Sequence, residues 1–395
     1  MSRHGWIKSI RTSKKITFIS ATDGQDLEFQ VTLPEDCEIT GEIKTGASFL
    51  ANGKDSTTPR GLYEFLATDF KIVGASDDTY PIQPKLHTKD FLRTIPEHRG
   101  RAREFQSVWK IRHAISQRIH SFLSAQGFCQ YYAPLITTAD CEGAGETFEV
   151  TSKDFVGNLT VSAQLQGEVG MMSLGKIYTF GPCFRAERSS TKKHLAEFWM
   201  VEPEMAFYDL DKTMDLVEDL IKHVFVTVPI DCQDEFKLLF PDGPSHLVRT
   251  GISKWKRIHY EKIVEEFGLT YGDDVSSEVE KKVSDKYGPT FITHYPASLK
   301  PFYMKKEAGE AYCFDLIFPH VGELVGGSER EDDYETLKKA MIDSGLDMEK
   351  MNWYLETRKY GSVPHSGFGI GLERLVMFVT QADKVHDVIP FPFSF

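Results

Sequence analysis

The residues of this chain that are best suited to chemistry lie in one stretch, Phe184–Met205, in which charged and apolar side chains are interleaved. β-Branched and aromatic residues predict two strands, Ile177–Glu187 and Leu195–Phe207, with a polar turn between them. The charged members of this hairpin are Arg185, Glu187, Lys193, His194, Glu202 and Glu204. Unpaired charge beside aromatic rings costs on the order of several kcal/mol in a dry core. The stretch therefore indicates a hairpin that holds a ligand, and the alternative is a solvated hairpin with surface ion pairs.

A pair of carboxylates forms a second candidate site. Asp315 and Glu323 lie inside two neighbouring apolar runs, which predicts that adjacent strands aim both side chains at one region. Hard oxygen ligands on rigid strands, in a site that also holds Arg185, suit Mg²⁺ carrying a phosphate. The alternative is two edge carboxylates that face water.

Glycine marks two further candidate sites. In His365–Arg374 the glycines at positions 367, 369 and 371 would let a strand pass beneath a flat ligand before Arg374 opens the next helix. In Asp140–Glu146 two glycines admit close backbone approach, and the acids could receive an ammonium group. Glycine-rich junctions also occur for packing alone. Ser162 and Gln164 add a hydroxyl and an amide just before the hairpin.

The first 75 residues predict a small β-domain. Short β-branched or aromatic runs stand at Gly5–Ile10, Ile16–Ala21, Leu27–Leu33, Glu38–Leu50 and Tyr63–Val73, with turn signals such as Ala51–Gly53 between them. Five short strands fit a barrel of the kind that binds oligonucleotides, although any five-stranded β-domain gives this pattern. Phe18 and Phe29 would offer stacking surfaces for unpaired bases or would belong to the core.

A polar segment punctuated by proline, Ser76–His98, predicts a linker to a second domain. A helical pattern follows from Arg99 to Gln126–Gly127, and then comes a strand that carries Pro134. Because proline is tolerated mainly on edge strands, this edge beside a long helix is a natural surface for a symmetric partner. Further helices are predicted at Leu210–Val224, Ser277–Tyr287, Tyr334–Ser344 and Met348–Lys359, whereas most of residues 230–290 reads as irregular.

Length and composition exclude several classes of protein. The 395 residues suit two domains, and 41% apolar with 26% charged residues is typical of a globular protein rather than a disordered or membrane-spanning one. The six cysteines stand far apart with no C-x-x-C pair, which argues against zinc and against a disulfide framework. The N-terminal segment resembles neither a signal peptide nor a transit peptide, so we expect a cytoplasmic protein.

The charge is unevenly distributed. The formal net charge is −12, yet residues 1–20 and 85–118 are rich in lysine and arginine. Two basic stretches on an acidic body fit a polyanion held along one path, and the alternative is that both are solvated faces.

Three motifs, in this order along the chain, resemble the signature motifs of class II aminoacyl-tRNA synthetases. They are a helix followed by Pro134 on a strand, Phe184-Arg-Ala-Glu187, and Gly369-Ile-Gly-Leu-Glu-Arg374. Within the class, segments such as Cys141-Glu-Gly-Ala-Gly-Glu146 and His194-Leu-Ala-Glu-Phe-Trp-Met200 resemble the asparaginyl-tRNA synthetases. The resemblance runs from the N-terminal strands to the last residues.

The resemblance implies an α+β protein with a five-stranded OB-type anticodon-binding barrel in residues 1–75, a linker in 76–98, and a class II catalytic domain in 99–395. That catalytic domain would be an antiparallel sheet flanked by helices. The implied activity is ATP-dependent attachment of asparagine to tRNA through an asparaginyl-adenylate, with Mg²⁺. The implied assembly is a homodimer formed through the region Arg99–Pro134.

The resemblance also implies roles for individual residues. Arg185 would hold the α-phosphate and the amino-acid carboxylate, Glu187 would accept from the adenine amino group, and Phe198 and Arg374 would sandwich the adenine ring. The other implied roles are ATP contacts for Lys193 and His194, Mg²⁺ binding for Asp315 and Glu323, contacts to the amino acid for Glu142, Ser162, Gln164, Glu202 and Arg330, and tRNA contacts for Phe18, Phe29 and Gln30.

Three alternatives stay open on the sequence. An aspartyl-tRNA synthetase would share the architecture, and Glu202 is the residue that would separate the two. A tRNA-independent enzyme that makes free asparagine would lack the barrel, so residues 1–75 count against it. A non-catalytic RNA-binding paralogue is disfavoured because the motif residues are present. Lys193 stands where relatives often carry arginine, so its contact to the γ-phosphate would be a point charge rather than a planar fork. His386 and Phe393 stand where relatives typically carry arginine, which leaves the roles of the last ten residues open.

Overall fold

The structure is a computed structural model that describes residues 1–25, 28–58, 60–138, 147–186 and 194–394. The strands in chain order are β1 (Ser2–Ser13), β2 (Ile16–Thr22), β3 (Phe29–Leu33), β4 (Glu38–Thr40), β5 (Ser48–Thr57), β6 (Tyr63–Gly74), β7 (Cys129–Gln130), β8 (Ile136–Thr137), β9 (Glu149–Ser152), β10 (Phe155–Leu159), β11 (Lys176–Phe184), β12 (Glu197–Ala206), β13 (Lys256–His259), β14 (Thr290–Pro296), β15 (Lys306–Glu307), β16 (Glu310–Phe318), β17 (Gly322–Glu329) and β18 (His365–Gly371). The α-helices are α1 (Lys89–Arg93), α2 (Pro96–Arg99), α3 (Arg103–Ala125), α4 (Gln164–Leu174), α5 (Leu210–Asp231), α6 (Gln233–Leu239), α7 (Ser245–Ile252), α8 (Tyr260–Phe267), α9 (Ser277–Tyr287), α10 (Tyr334–Asp343), α11 (Met348–Glu356) and α12 (Leu372–Thr380). The chain forms two compact units, Met1–Lys110 with Asp234–Pro241, and Ile111–Gln233 with Asp242–Phe395.

The first unit contains the barrel that the sequence predicts. Its strands follow the order β3-β2-β1-β5-β6, and a pairing of β3 with β6 closes the circle, while the three-residue strand β4 pairs only with β6. Closure pairs the edges of β3 and β6, which would otherwise be the outer strands of an open sheet. Apolar side chains fill the interior, among them Ile7, Ile19, Val31, Phe49, Phe65 and Phe70.

Two details of the predicted barrel were wrong. The run predicted as one strand from Glu38 to Leu50 is broken into β4 and β5, because Gly41 and Gly46 take positive φ angles of 96° and 89° and turn the chain. The predicted turn Ala51–Gly53 lies inside β5, where the register shifts after Asn52. Gly53 is needed there for close approach, since a Cβ would lie 2.1 Å from the carbonyl oxygen of Leu66.

The second unit is built on a nine-stranded sheet. Its order is β13-β14-β16-β17-β18-β12-β11-β7, with β15 on β16. The central pairs are antiparallel, and the outermost pairs β13–β14 and β11–β7 are parallel. Together with the barrel, this α+β architecture confirms the predicted fold class. A separate three-stranded sheet has the order β8-β10-β9.

Local sequence signals account for several helices around this sheet. Asp209, Ser276, Asp333 and Asp347 cap the N-termini of α5, α9, α10 and α11, each accepting from a backbone N–H of the first turn. α9 has the predicted bounds. The long helix α3 begins at Arg103 rather than Arg99, because the separate short helix α2 ends before Gly100.

The structure corrects two other predictions in this part of the chain. Pro134 does not lie on a strand, since only Cys129–Gln130 and Ile136–Thr137 on either side of it are extended pairs. The segment 230–290 is not irregular: it holds α6, α7, β13 and α8 before α9. Within the described part of the chain, no helix has the length and apolar character needed to cross a membrane.

Candidate active site

A cavity of about 680 Å³ in the second unit lies against the centre of the large sheet. Side chains alternate along a strand, so Phe198, Met200, Glu202 and Glu204 of β12 all face the same side. All four line the cavity. The hairpin β11–β12, paired in register from Lys176 with Met205 to Phe184 with Glu197, thus supplies one wall of the cavity.

The glycines of β18 make room in this wall. A Cβ at Gly367 would lie 2.2 Å from the carboxylate of Glu204, and one at Gly369 would lie 2.7 Å from the terminal methyl group of Met200. Contacts this short do not occur, so a larger residue at either position would force the side chain of Glu204 or Met200 to move. The alternating glycines therefore hold side chains of the neighbouring strand, in addition to any space that they leave for a flat ligand.

The predicted ATP-binding residues that the structure describes come together at one end of the cavity. They are Arg185, His194, Phe198, Glu323 and Arg374. The guanidinium carbon of Arg185 lies 5.3 Å from the ring centre of Phe198. Arg374 donates to the carbonyl oxygen of Glu323 and lies 3.8 Å from its carboxylate. Glu187, Lys193 and Glu142, which were also predicted to bind substrate, fall outside the described residues.

The backbone of Arg185 is held by the hairpin itself. Its N–H donates to the carbonyl oxygen of Ala196 at 2.9 Å, and the N–H of Ala196 donates to that of Phe393 at 2.8 Å. The C-terminal segment therefore supports the base of the loop that carries Arg185. This is a backbone contact, so it does not depend on which side chain stands at position 393.

The two carboxylates predicted to bind Mg²⁺ also come together. Asp315 on β16 and Glu323 on β17 both approach Gly326, where a Cβ would lie 3.7 Å from Asp315 Oδ1 and 3.2 Å from Glu323 Oε1. Burial, and then the charge of Asp315, raises the pKa of Glu323. A cation would relieve this repulsion, and two carboxylates that leave positions for phosphate oxygens and water fit the preferences of Mg²⁺. Lys300 donates to Asp315 at 2.7 Å in the ligand-free arrangement.

Glu202 is at the deeper end of the cavity and is held by neutral donors. It accepts from the Ser162 hydroxyl, from the backbone N–H of Ala163 at 3.0 Å and from the Thr179 hydroxyl at 3.3 Å. Glu202 is buried, with an exposed fraction of only 6%. Among the described residues, no lysine pairs with the carboxylate of Glu202, so the structure does not support the alternative of a strand carboxylate in a lysine ion pair.

Arg330, the other residue predicted to contact the substrate side chain, is paired on the protein side. It donates to Glu204 at 2.5 Å and 3.2 Å and to the Ser328 hydroxyl at 2.8 Å. The charge of Glu204 acts against the effect of burial and raises the pKa of Arg330 above its usual value. Burial raises the pKa of Glu204 to about 7 although Arg330 acts in the opposite direction.

Behind Arg330 lies a buried ionic network that sequence reasoning missed. Its central residue is Glu168 of α4, which is completely buried and accepts from Gln164, Tyr354, Arg358 and His365. Glu204 could have been inferred, because it stands two positions after Glu202 on the same face of a strand. Glu168 could not, because the glycines at 167 and 170 obscure the helix α4 that carries it.

The three barrel residues predicted to contact tRNA differ in exposure. Phe29 is 6% exposed and belongs to the barrel core, which argues against a stacking role for its ring. Phe18 is half-buried, with the guanidinium of Arg11 4.8 Å from its ring centre. The Gln30 amide nitrogen donates to Thr32 and Glu64, which turns the amide oxygen towards other partners.

Comparison with known proteins gives a consistent result. The family model described as tRNA synthetases class II (D, K and N) matches residues 97–394. An asparagine--tRNA ligase of Phocaeicola vulgatus is 41% identical, with 98% of this chain and 93% of the relative covered. An asparagine--tRNA ligase of Microcystis aeruginosa is 39% identical, with 98% of this chain and 94% of the relative covered.

Solved structures agree with these relatives. Asparaginyl-tRNA synthetase from Pyrococcus horikoshii complexed with asparaginyl-adenylate is similar with a TM-score of 0.92 and 27% identity, covering 100% of this chain and 94% of that one. The Entamoeba histolytica asparaginyl-tRNA synthetase in complex with asparaginyl-adenylate gives a TM-score of 0.88 and 27% identity, with 99% and 94% covered. The chain belongs to the class II tRNA synthetases, in the family of the asparagine--tRNA ligases.

Proposed function

We infer that this chain attaches asparagine to its tRNA through an asparaginyl-adenylate. In the first step an oxygen of the asparagine carboxylate attacks the α-phosphorus of ATP and pyrophosphate leaves. In the second step the terminal ribose hydroxyl of tRNA attacks the acyl carbon and AMP leaves. The observation that carries this function is the single cavity that brings together Arg185, Arg374, Glu323 and Glu202.

We propose that the enzyme contributes positioning and charge to the first step, without a protein nucleophile. Arg185 would bind the α-phosphate and the asparagine carboxylate together and offset the negative charge that grows as they react. Phe198 and Arg374 would lie on the two faces of the adenine ring, where an aromatic face and a guanidinium plane both stack well. In the ligand-free protein Arg185 lies over Phe198, so adenine would have to displace it from this ring.

We propose that Asp315 and Glu323 hold Mg²⁺, which when bound supplies positive charge to the phosphate oxygens of ATP. Lys300 donates to Asp315 at 2.7 Å, so binding of the ion by Asp315 requires this ammonium to move or to turn towards a phosphate.

The choice of asparagine over aspartate is proposed to depend on Glu202 and Arg330. The two amino acids have nearly the same shape, so contact area cannot separate them, and the pocket must distinguish an amide from a carboxylate. Arg330 would donate to the amide oxygen, and Glu202 would accept from the amide nitrogen. Aspartate would place a second anion against Glu202 in a site with little water, which is strongly disfavoured.

The substitution Glu202→Gln tests this choice. It should weaken activation of asparagine and reduce discrimination against aspartate by roughly tenfold or more, because the like-charge repulsion is removed while the size is kept. The measurement is ATP–pyrophosphate exchange with each amino acid. Glu197→Gln on the same strand, outside the cavity, is the matched control. If the Glu202 variant rejects aspartate as strongly as the parent, this role of Glu202 is wrong.

We further propose that the barrel binds the anticodon of the tRNA through Phe18 and Gln30. Base stacking on an aromatic ring is worth about 1–3 kcal/mol, so Phe18→Ala should raise the KM for tRNA by roughly tenfold, and Gln30→Ala should act in the same direction. Ile39→Ala, at an exposed position of β4, serves as the control. Aminoacylation kinetics measure the effect, and asparagine-dependent pyrophosphate exchange should stay unchanged. An unaltered KM for tRNA in both variants would remove the barrel from this role.

Two further aspects of the function are proposals. We propose a homodimer formed through the region Arg99–Pro134, where β7 is an outer strand of the large sheet and Tyr132 is 82% exposed. Sedimentation of the parent and of Tyr132→Asp would test this assembly. We also propose that the protein acts in the cytoplasm, where tRNA and ATP are both present.

A further inference from the structure

Glu168 lies behind the amino-acid end of the cavity and has no part in the reaction as described so far. It is completely buried and is not among the residues that line the cavity. Its Oε1 accepts from the Gln164 amide at 3.1 Å and from the Tyr354 hydroxyl at 3.0 Å. Its Oε2 accepts from His365 at 3.1 Å and from Arg358. The neutral donors among these partners, Gln164 and Tyr354, could hold an uncharged amide as well as a carboxylate, so they do not explain why this position carries a charge.

The reason lies in its neighbour on the cavity side. Oε1 of Glu168 is 3.9 Å from Nε of Arg330, the arginine that faces the substrate. Arg330 also pairs with Glu204, so two carboxylates already face its one positive charge. The carboxylate of aspartate would be a third carboxylate near the guanidinium of Arg330, whereas the neutral amide of asparagine adds no charge. A buried charge acts over several ångströms without contact, because the medium between the groups screens it weakly.

Glu168 keeps its charge despite its burial. Burial alone acts to raise its pKa, but the charge of Arg358, with smaller effects from His365 and Arg330, outweighs this and holds the pKa well below its usual range. Arg358 is not among the residues that line the cavity, and it also donates to the carbonyl oxygen of Glu331 at 2.9 Å. The network therefore holds the negative charge of Glu168 next to the guanidinium of Arg330, which is proposed above to contact the substrate.

We propose that Glu168 is a positioning residue that determines specificity: its buried charge offsets the attraction of Arg330 for a carboxylate, and so favours asparagine over aspartate without touching either. The proposal rests on the function proposed above. It adds a second source of discrimination that is separate from the direct contact of Glu202.

The test compares parent and Glu168→Gln by the ratio of kcat/KM for asparagine to kcat/KM for aspartate in ATP–pyrophosphate exchange. The ratio should fall by about tenfold or more, because the repulsion that acts only on aspartate is removed. A merely structural role would lower both activities together and leave the ratio in place. An unchanged ratio in the variant overturns the proposal.

Tyr354→Phe is the matched control, because it removes a hydrogen bond to the same carboxylate and leaves the charge. It should keep the ratio within about twofold of the parent. An equal fall of the ratio in both variants would show that geometry rather than charge is responsible, and the proposal would then be wrong.

Glu168→Gln leaves Arg358 buried beside an amide, which can prevent folding. The double variant Glu168→Gln with Arg358→Gln removes both charges and leaves no unpaired buried guanidinium. Its ratio should also lie below that of the parent, because the carboxylate 3.9 Å from Arg330 is lost. An unchanged ratio there also overturns the proposal. The outcome is distinct from failure of the proposed function. A parent protein without asparagine-dependent exchange would contradict that function, whereas an active parent with an unchanged ratio in the variants contradicts only the role of Glu168.

Discussion

Replacing Glu323 by glutamine is expected to reduce asparagine-dependent ATP–pyrophosphate exchange by roughly a thousandfold or more. The reason is that Glu323 and Asp315 converge on one position beside Gly326 and share the binding of a divalent cation in our proposal. Loss of one of two ligand charges leaves the phosphate charge of ATP without its main counter-ion. Asp315→Asn should have an effect in the same direction.

The folded state should tolerate this change. Burial and the neighbouring charge of Asp315 raise the pKa of Glu323. An amide of the same size removes the repulsion between the two carboxylates, so the temperature of thermal unfolding should not fall. Glu310→Gln, on the strand next to β17 and outside the cavity, is the matched control and should keep full exchange activity. Exchange rates of Glu323→Gln within tenfold of the parent would remove this residue from the metal site.

Arg185→Gln is expected to produce the second large loss, roughly a hundredfold to a thousandfold in kcat/KM for pyrophosphate exchange. Charge at the α-phosphorus builds up only as the bond forms, so kcat should fall more than KM for ATP rises. Arg185→Lys keeps the charge but not the planar pair of donors, and it should recover only part of the activity. Steady-state exchange kinetics, with the concentrations of ATP and asparagine varied in turn, separate the effect on kcat from the effect on KM.

The control for this variant is Arg257→Gln, which removes an arginine that pairs with Asp211 and Asp215 away from the cavity. It should leave the exchange kinetics unchanged. If Arg185→Gln raises KM for ATP without lowering kcat, then the residue binds ATP in the ground state and does not act on the developing charge. If neither constant changes, Arg185 does not contact the phosphate.

Elements with strong local signals could be predicted closely. The alternate side chains of β12 face the cavity, and α9 lies between a Ser276 cap and Gly288; both patterns are visible in the sequence. Elements with weak signals could not. α4 contains two glycines, and α7 and α8 are eight residues each, so tertiary packing rather than helix propensity keeps them folded: α4 and α8 pack on the sheet, and α7 packs on α5.

The errors in the barrel have a related cause. Asn52-Gly53 has the composition of a tight turn, but Gly53 is there because the backbone of Leu66 leaves no space for a Cβ. The same residue type serves a turn at one position and close packing at another. Only the neighbouring strand decides which applies, and the identity of that neighbour is not a local property.

The sequence by itself determined the family of the protein: Arg185, Glu202, Glu323 and Arg374 stand in segments whose order and spacing resemble one family, and the comparisons confirmed that family. The residue type determines whether a side chain can donate or accept a hydrogen bond and whether it can carry a charge.

The tertiary structure alone decided which charges meet. Arg330 pairs with Glu204 across 126 positions, and Arg358 pairs with Glu168 across 190. Asp315 pairs with Lys300, and the sequence alone does not show which strands bring these two residues together. Buried charges must find partners at hydrogen-bond distance, and those partners are selected by the packing of the sheet against α4 and α11, which no local pattern specifies.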